Sequence, residues 1–218
     1  MSLIPVLIVV LSAGAAGALA SLLLSRRVLS AQRAQLDELR GQARTDTLTG
    51  LANRRTWEEE LPRELARARR TKRPVSIVVA DLDGFKAVND THGHQAGDRL
   101  LRGIAAAFRS CLREVDVVAR FGGDEFGFVL PDCPESQALK VAERLRLAAP
   151  VGVTCSLGVA GWDGSEPAAV FFERADQALY EAKRCGRNRI VVAPVEPPTL
   201  ERPRPVALVP ALPQRGWA

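Results

Sequence analysis

The densest chemistry in this chain lies at residues 120–126, which read Arg-Phe-Gly-Gly-Asp-Glu-Phe. Two carboxylates, Asp124 and Glu125, follow the glycine pair Gly122 and Gly123. Apolar runs at 115–119 and 126–130 flank the pair, so the segment reads as a hairpin with a tight turn at Gly-Gly. Glycine adopts the positive φ of such turns cheaply. The bare backbone lets a phosphate or sugar approach, and the acids can hold a divalent cation beside it. An exposed hairpin with no function uses the same residue types, so the other charged residues must decide between the two readings.

A second acidic run, Asp81-Leu82-Asp83-Gly84-Phe85-Lys86, follows a β-branched stretch at 75–81 that reads as a buried strand. Strand alternation places Asp81 and Asp83 on one face if the strand continues that far. Asp81 beside Asp124 and Glu125 would make an oxygen cage suited to Mg2+ shared with substrate phosphates. A helix N-cap or a solvated strand end is the plainer reading of Asp81. Alternation also aims Asp124 and Glu125 in opposite directions, one at a metal and the other at a substrate sugar. Their order is open from sequence.

Residues 89–98 read as a loop with two glycines, Gly93 and Gly97, entering a helix at 96–111. Asn89 and Asp98 could pair with a nucleobase edge. A carboxylate accepts two hydrogen bonds, and guanine offers such a pair where adenine does not. Asp98 as a helix N-cap is the alternative. His92 and His94 read as loop or packing residues before ligands. Lys183 and Arg187 flank Gly186 near a helix end, where they could reach a triphosphate or serve the helix dipole. Arg113 and Asp116 form an R-x-x-D pair, which alone means a surface ion pair.

These residues need a scaffold, and the 218-residue chain is long enough for one domain with extensions. Apolar residues make up 47% and charged residues 25%, a globular balance. The net charge of +5 is dispersed without an aromatic-rich basic patch, which argues against nucleic acid as a partner. The four cysteines lie far apart with no C-x-x-C, so neither a disulfide framework nor a zinc site is expected.

Residues 3–24 carry no charge and match the length of a membrane-spanning helix. Arg26 and Arg27 follow, which places the C-terminal side in the cytoplasm. A cleaved signal peptide is the rival, with Ala18-Leu19-Ala20 as its site, but no Lys or Arg precedes the apolar run. The expected organisation is an anchor at 1–27, a short linker or coiled-coil helix at 28–44, a domain at 45–193 and a tail at 194–218. The tail holds seven of the fourteen prolines and is expected to be disordered. Within the domain, helices are expected at 55–70, 96–111, 135–148 and 168–184. Strands are expected at 75–81, 115–130 as a hairpin, 151–160 and 189–192. The order β-α-β-β-α-β is the split βαβ plan of an α+β, ferredoxin-like palm. Its central sheet is expected to be antiparallel and flanked by helices.

With these motifs in order, the domain resembles the GGDEF family, the diguanylate cyclases. The resemblance spans the domain. It rests on Asp46-Thr47-Leu48-Thr49-Gly50-Leu51-Ala52-Asn53-Arg54-Arg55, on 81–86 and 89–98, and on Gly122-Gly123-Asp124-Glu125-Phe126. It rests further on 175–183 with Gly186-Arg187-Asn188-Arg189. It implies that two domains meet as a homodimer, each with one GTP, and form cyclic di-GMP with release of two pyrophosphates.

By resemblance, Asp81, Leu82, Asp124 and Glu125 bind two Mg2+ per active site, with Mn2+ as an alternative, and Asp124 and Glu125 are catalytic. Phe85, Lys86, Asn89, His94, Asp98, Gly122, Gly123, Lys183 and Arg187 bind substrate. Arg113 and Asp116 stand at the inhibitory product-binding site, with Arg144 as a secondary arginine from a neighbouring domain. The resemblance and the anchor together imply a bacterial inner-membrane protein with its catalytic domain in the cytoplasm. One departure is the short stretch 146–154, where many members carry a longer connection. A non-catalytic cyclic di-GMP or GTP receptor is the competing function, and the intact signature weighs against it.

Overall fold

The computed structural model describes residues 44–150 and 152–194. The expected anchor, linker helix and tail lie outside the described residues, apart from Arg44 and Pro194 at their borders. Among the described residues, no helix is long and apolar enough to cross a membrane.

In chain order the elements are β1 (Ala52–Asn53), α1 (Arg54–Thr71), β2 (Val75–Asp83), α2 (Phe85–His92), α3 (His94–Ser110), β3 (Val117–Gly122), β4 (Glu125–Pro131), α4 (Glu135–Leu147), β5 (Thr154–Gly161), α5 (Ala168–Arg184) and β6 (Ile190–Val192). They build a six-stranded sheet in the order β1-β3-β4-β2-β5-β6. The inner pairs β3–β4, β4–β2 and β2–β5 are antiparallel, and β2 lies between β4 and β5 as the split βαβ plan requires. The edge pairs β1–β3 and β5–β6 are parallel. The sheet is therefore mixed, where an antiparallel one was expected. The crossover through α5 returns the chain to the end of β5 where it began, so β6 must run the same way.

The period of two along β2 sorts the core into two layers. Val78, Ala80 and Leu82 pack with Leu101, Ile104 and Phe108 of α3 and Val141 and Leu145 of α4. Val75, Ile77 and Val79 face the other way, onto Trp57, Leu61 and Leu65 of α1 and Phe171, Ala175 and Leu179 of α5. Helices thus cover both faces, and β2 is buried throughout except at its last residue.

Two local expectations are corrected. Gly122 and Glu125 are register partners, so the two-residue turn is Gly123-Asp124, not Gly-Gly. Gly123 takes φ 53°, while Gly122, at φ 142°, belongs to an irregularity in which the register shifts between Arg120 and Gly122. The second correction concerns residues 89–92, which are helical and not loop. Only Gly93, at φ 78° and ψ 161°, separates α2 from α3. A single residue with that backbone reorients the chain without a longer connection.

The first turn of α1 is secured by Asn53, whose side chain accepts from the Thr56 N–H at 2.9 Å. Asn53→Ala is expected to cost about 1 kcal/mol, measurable by urea denaturation of the full-length protein, with the slope of the transition unchanged.

Candidate active site

The sheet brings the two acidic runs together. Asp81 and Glu125 are register partners across β2 and β4, and the Leu82 N–H donates to the Asp124 carbonyl at 3.2 Å. Asp124 sits in the turn and escapes strand alternation, so both turn acids lie near enough to act on Asp81 electrostatically. Asp81 is 9% exposed. Burial pushes its carboxyl up to about 6; the Lys183 side chain opposes that, and the negative charges of Asp124 and Glu125 add to it.

Lys183 arrives from the last turn of α5 and places Nζ 2.7 Å from Asp81 Oδ2. That contact is decided by how α5 lies on β5. The close approach depends on Gly158, where a Cβ would stand 2.0 Å from the Ala175 carbonyl oxygen. Gly186, at φ 112°, ends the helix at C′, and the Arg187 N–H returns to the Ala182 carbonyl at 3.0 Å. Arg187 is exposed, with Nε 3.9 Å from Asp83 Oδ1.

Asp83 shares the Asp81 face, as alternation predicts, but its carboxylate is occupied. It accepts from Thr154 Oγ1 and Ser156 Oγ of β5, each at 2.8 Å, and from the Asn188 N–H at 3.0 Å. It ties β2 to β5 and to the end of α5.

The expected oxygen cage is not closed. Among the described residues, no group of three or more His, Cys, Asp or Glu side chains is arranged to hold a metal ion. Asp81 is turned to Lys183. The donor set still suits a hard divalent cation: it is all carboxylate, one member is buried, and the other two raise the cost of ionising it. Leu82 is 1% exposed with its side chain in the core, so only its main chain is available to a ligand.

Beside the carboxylates, α2 begins at Phe85 and Lys86 after Gly84, at φ 78°. The first amides of a helix have no internal acceptor and favour anions. Asn89 lies on α2, half-buried, and touches α3 where Gly97 has no side chain. A Cβ there would stand 2.0 Å from Asn89 Oδ1. Asp98 follows at once on α3. Because α3 starts at His94 with Gly93 as its cap, Asp98 is not an N-cap. His94 is exposed in the first turn of α3. At Gly122 and Gly123 a Cβ would meet nothing within 4 Å, so the space over the turn is open.

Arg113 and Asp116 stand before β3, at the opposite end of the hairpin, about 20 Å away by strand rise. Asp116 Oδ2 accepts from the Arg113 N–H at 2.8 Å, and Arg113 Nη2 lies 3.3 Å from Asp116 Oδ1. Arg144 of α4 donates to the carbonyl of Cys111, two positions before Arg113 in the same chain, at 2.9 Å.

One pair was missed from sequence. Arg120 donates to both oxygens of Asp46, at 3.1 and 3.2 Å, and to the Gly123 carbonyl at 2.8 and 3.1 Å. It therefore clamps the turn to the loop before β1. Burial pushes the Asp46 carboxyl up, but Thr49 and Arg120 outweigh it and hold the group below the usual carboxylate range. The signal was the Asp-x-x-Thr spacing, in which Asp46 accepts from the Thr49 N–H and hydroxyl.

Fold and site together define an α+β palm with carboxylates gathered at one hairpin turn of its sheet. Residues 43–189 match the family described as diguanylate cyclase, GGDEF domain, and the chain belongs to that family. Diguanylate cyclase DgcP of Pseudomonas aeruginosa is 44% identical over 168 residues, covering 72% of this chain and 25% of that protein. Response regulator PleD of Caulobacter vibrioides is 39% identical over 173 residues, covering 73% of this chain and 38% of that protein. The chain thus spans well under half of these relatives. Among solved structures, the GGDEF domain of DgcB from Caulobacter crescentus in complex with c-di-GMP aligns with a TM-score of 0.67 at 35% identity. That alignment covers 70% of this chain and 96% of the solved one.

Proposed function

We propose that the chain is a diguanylate cyclase that condenses two GTP into cyclic di-GMP and two pyrophosphates. The observation that carries this reading is the meeting of Asp81, Asp124 and Glu125, with Lys183, at the end of the β2–β4 ladder. The relative named diguanylate cyclase and the GGDEF structure holding c-di-GMP support the substrate class.

In each half of the reaction the 3′-oxygen of one GTP bonds to the α-phosphorus of the other. The bond from that phosphorus to the bridging oxygen breaks, and pyrophosphate leaves. The hydroxyl proton passes to a base, a role assigned to Asp124 or Glu125. Asp81, Asp124 and Glu125, with the main chain of Leu82, would hold Mg2+ or Mn2+, two per active site. When bound, Mg2+ neutralises phosphate charge and favours in-line displacement.

The remaining steps belong to the chain's own side chains. Lys183 and Arg187, with the amides of Phe85 and Lys86, hold the phosphates. Asn89, His94 and Asp98 read guanine, and the bare backbone of Gly122 and Gly123 leaves room for the nucleotide. One domain holds half of the reactants, so a homodimer completes the active site. Arg113, Asp116 and Arg144 form the product-binding inhibitory cluster. The uncharged run at 3–24 and the arginines after it support a single-pass anchor in the bacterial inner membrane, with the domain in the cytoplasm.

The test uses full-length protein in detergent, stripped of nucleotide and given GTP and Mg2+, with cyclic di-GMP measured by mass spectrometry. Glu125→Ala is expected to lower product formation by about 10²–10⁴-fold. Absence of product from the unaltered protein, with cyclic di-GMP binding that requires Arg113, would replace this reading with a receptor.

A further inference from the structure

Gly186, Arg187 and Asn188 follow one another with φ of 112°, 61° and 45°. A glycine in this conformation suffices to end a helix, so the two further left-handed residues add nothing to the cap. Residues other than glycine keep such a backbone only where their surroundings impose it. Here the surroundings come from both sides of the turn. The Asn188 N–H donates to Asp83 Oδ2 of β2 at 3.0 Å. From the last turn of α4, Arg146 Nη1 donates to Asn188 Oδ1 at 2.7 Å. Arg146 is itself held, because its Nε and Nη2 donate to the two carboxylate oxygens of Glu143 at 2.8 and 2.7 Å. A bidentate pair fixes the plane of the guanidinium, which leaves Nη1 directed at the turn.

What the turn carries is Arg187. Lys183 lies against Asp81 and Arg187 against Asp83, so the two cations stand over the same face of β2. The Asp83 side chain is 6% exposed, and its oxygens already accept from Thr154, Ser156 and Asn188. Arg187 Nε, at 3.9 Å from Asp83 Oδ1, is beyond hydrogen-bond distance. The buried charge therefore attracts the guanidinium without occupying its N–H fork, which stays available to a phosphate.

We propose that Arg146 is a positioning residue of the active site: through Asn188 it pins the strained turn that presents Arg187 to the substrate phosphates. Asp83 is the anchor on the opposite side. The proposal rests on the reading of Arg187 as a phosphate-binding residue. Arg146 and Asn188 lie 42 positions apart, and neither needs to touch the nucleotide.

The test is isothermal titration calorimetry of the full-length protein in detergent with Mg2+. The probe is a GTP analogue in which a methylene replaces the oxygen between the α- and β-phosphorus, so that it binds without turnover. Arg187→Ala is expected to weaken binding about tenfold or more, the scale of losing a hydrogen bond to a charged group. Arg146→Ala and Asn188→Gly are each expected to weaken it about three- to tenfold. Glycine takes the backbone of residue 188 without strain and keeps its N–H on Asp83, so that variant removes the Arg146 contact alone. Asp83 is left intact because its loss would also break the ties to Thr154 and Ser156.

In the Arg187→Ala background neither substitution should weaken binding further by more than about twofold, because both act through Arg187. A merely structural effect would persist undiminished in that background, and such persistence would overturn the proposal. So would unchanged binding in Arg146→Ala or in Arg187→Ala. Cyclic di-GMP formation is scored separately on the same proteins. Absence of product with this binding pattern intact would refute the cyclase reading and keep the role of Arg146. Product formed with binding indifferent to Arg146 would do the reverse.

Discussion

Asp81→Asn is expected to abolish cyclic di-GMP formation while making the metal-free protein more stable. Activity should fall because the substitution removes the one buried carboxylate of the set. A loss of about 10²–10³-fold or more is the scale for deleting a group that stabilises charge in the transition state. The gain in stability follows from the raised pKa. Burial lifts Asp81 to about 6, and Asp124 and Glu125 reinforce the rise despite the Lys183 contact.

Between the ordinary carboxylate range and about 6, the folded protein keeps a proton that the unfolded chain has released. Stability therefore falls as pH rises through that window, and the full penalty is present above it. A shift of this size corresponds to at most about 3 kcal/mol, reduced by solvent screening. Asparagine cannot ionise, so the variant avoids the penalty. Lys183 loses its partner but is 33% exposed and remains hydrated. Thermal melts in EDTA at about pH 4.5 and about pH 7.5 should show a clearly larger advantage for the variant at the higher value. An advantage of equal size at both values would show that ionisation of Asp81 is not its source. Added Mg2+ should stabilise the unaltered protein and not the variant.

Gly158→Ala is expected to have the largest effect on folding. A Cβ there would lie 2.0 Å from the Ala175 carbonyl oxygen and 2.4 Å from the Leu179 nitrogen. Both are main-chain atoms of α5, so no rotamer change relieves the clash. The helix must move off β5, disturbing the buried Phe171, Ala175 and Leu179 and the position of Lys183. Such overpacking costs about 3–5 kcal/mol, a large part of a typical net stability of about 5–15 kcal/mol. The melting temperature should drop by about 10 °C or more. Gly103→Ala is the control: it sits in α3, where a Cβ meets nothing within 4 Å. It should be neutral or stabilise by up to about 1 kcal/mol. Equal melting temperatures for the Gly158 and Gly103 variants would sink the close-approach argument.

Most of the element order was legible because burial imposes periods that sequence displays. The β-branched run from Val75 and the apolar stripe through Leu101, Ile104 and Phe108 read directly as strand and helix, and α5 kept its expected bounds. Boundaries failed where one residue's backbone outweighs the pattern. Gly93 divides a stretch that looks like loop into two helices, and the register shift at 120–122 moves the turn onto Gly123-Asp124. The two-residue β1 has no period to read, and its parallel pairing with β3 arises from contacts distant in the chain.

The sequence alone determined which groups this protein can use: the acids Asp81, Asp124 and Glu125, the R-x-x-D pair, and the motif order that places the chain in its family. Those are properties of residue type and local spacing. Only the tertiary structure decided which of them meet. Register across β2 and β4 sets Asp81 opposite Glu125, the packing of α5 at Gly158 delivers Lys183 to Asp81, and Arg120 joins the turn to Asp46. These contacts link residues from 44 to 102 positions apart. Local propensity carries no record of such pairings, because register and helix packing fix them only when the whole sheet closes.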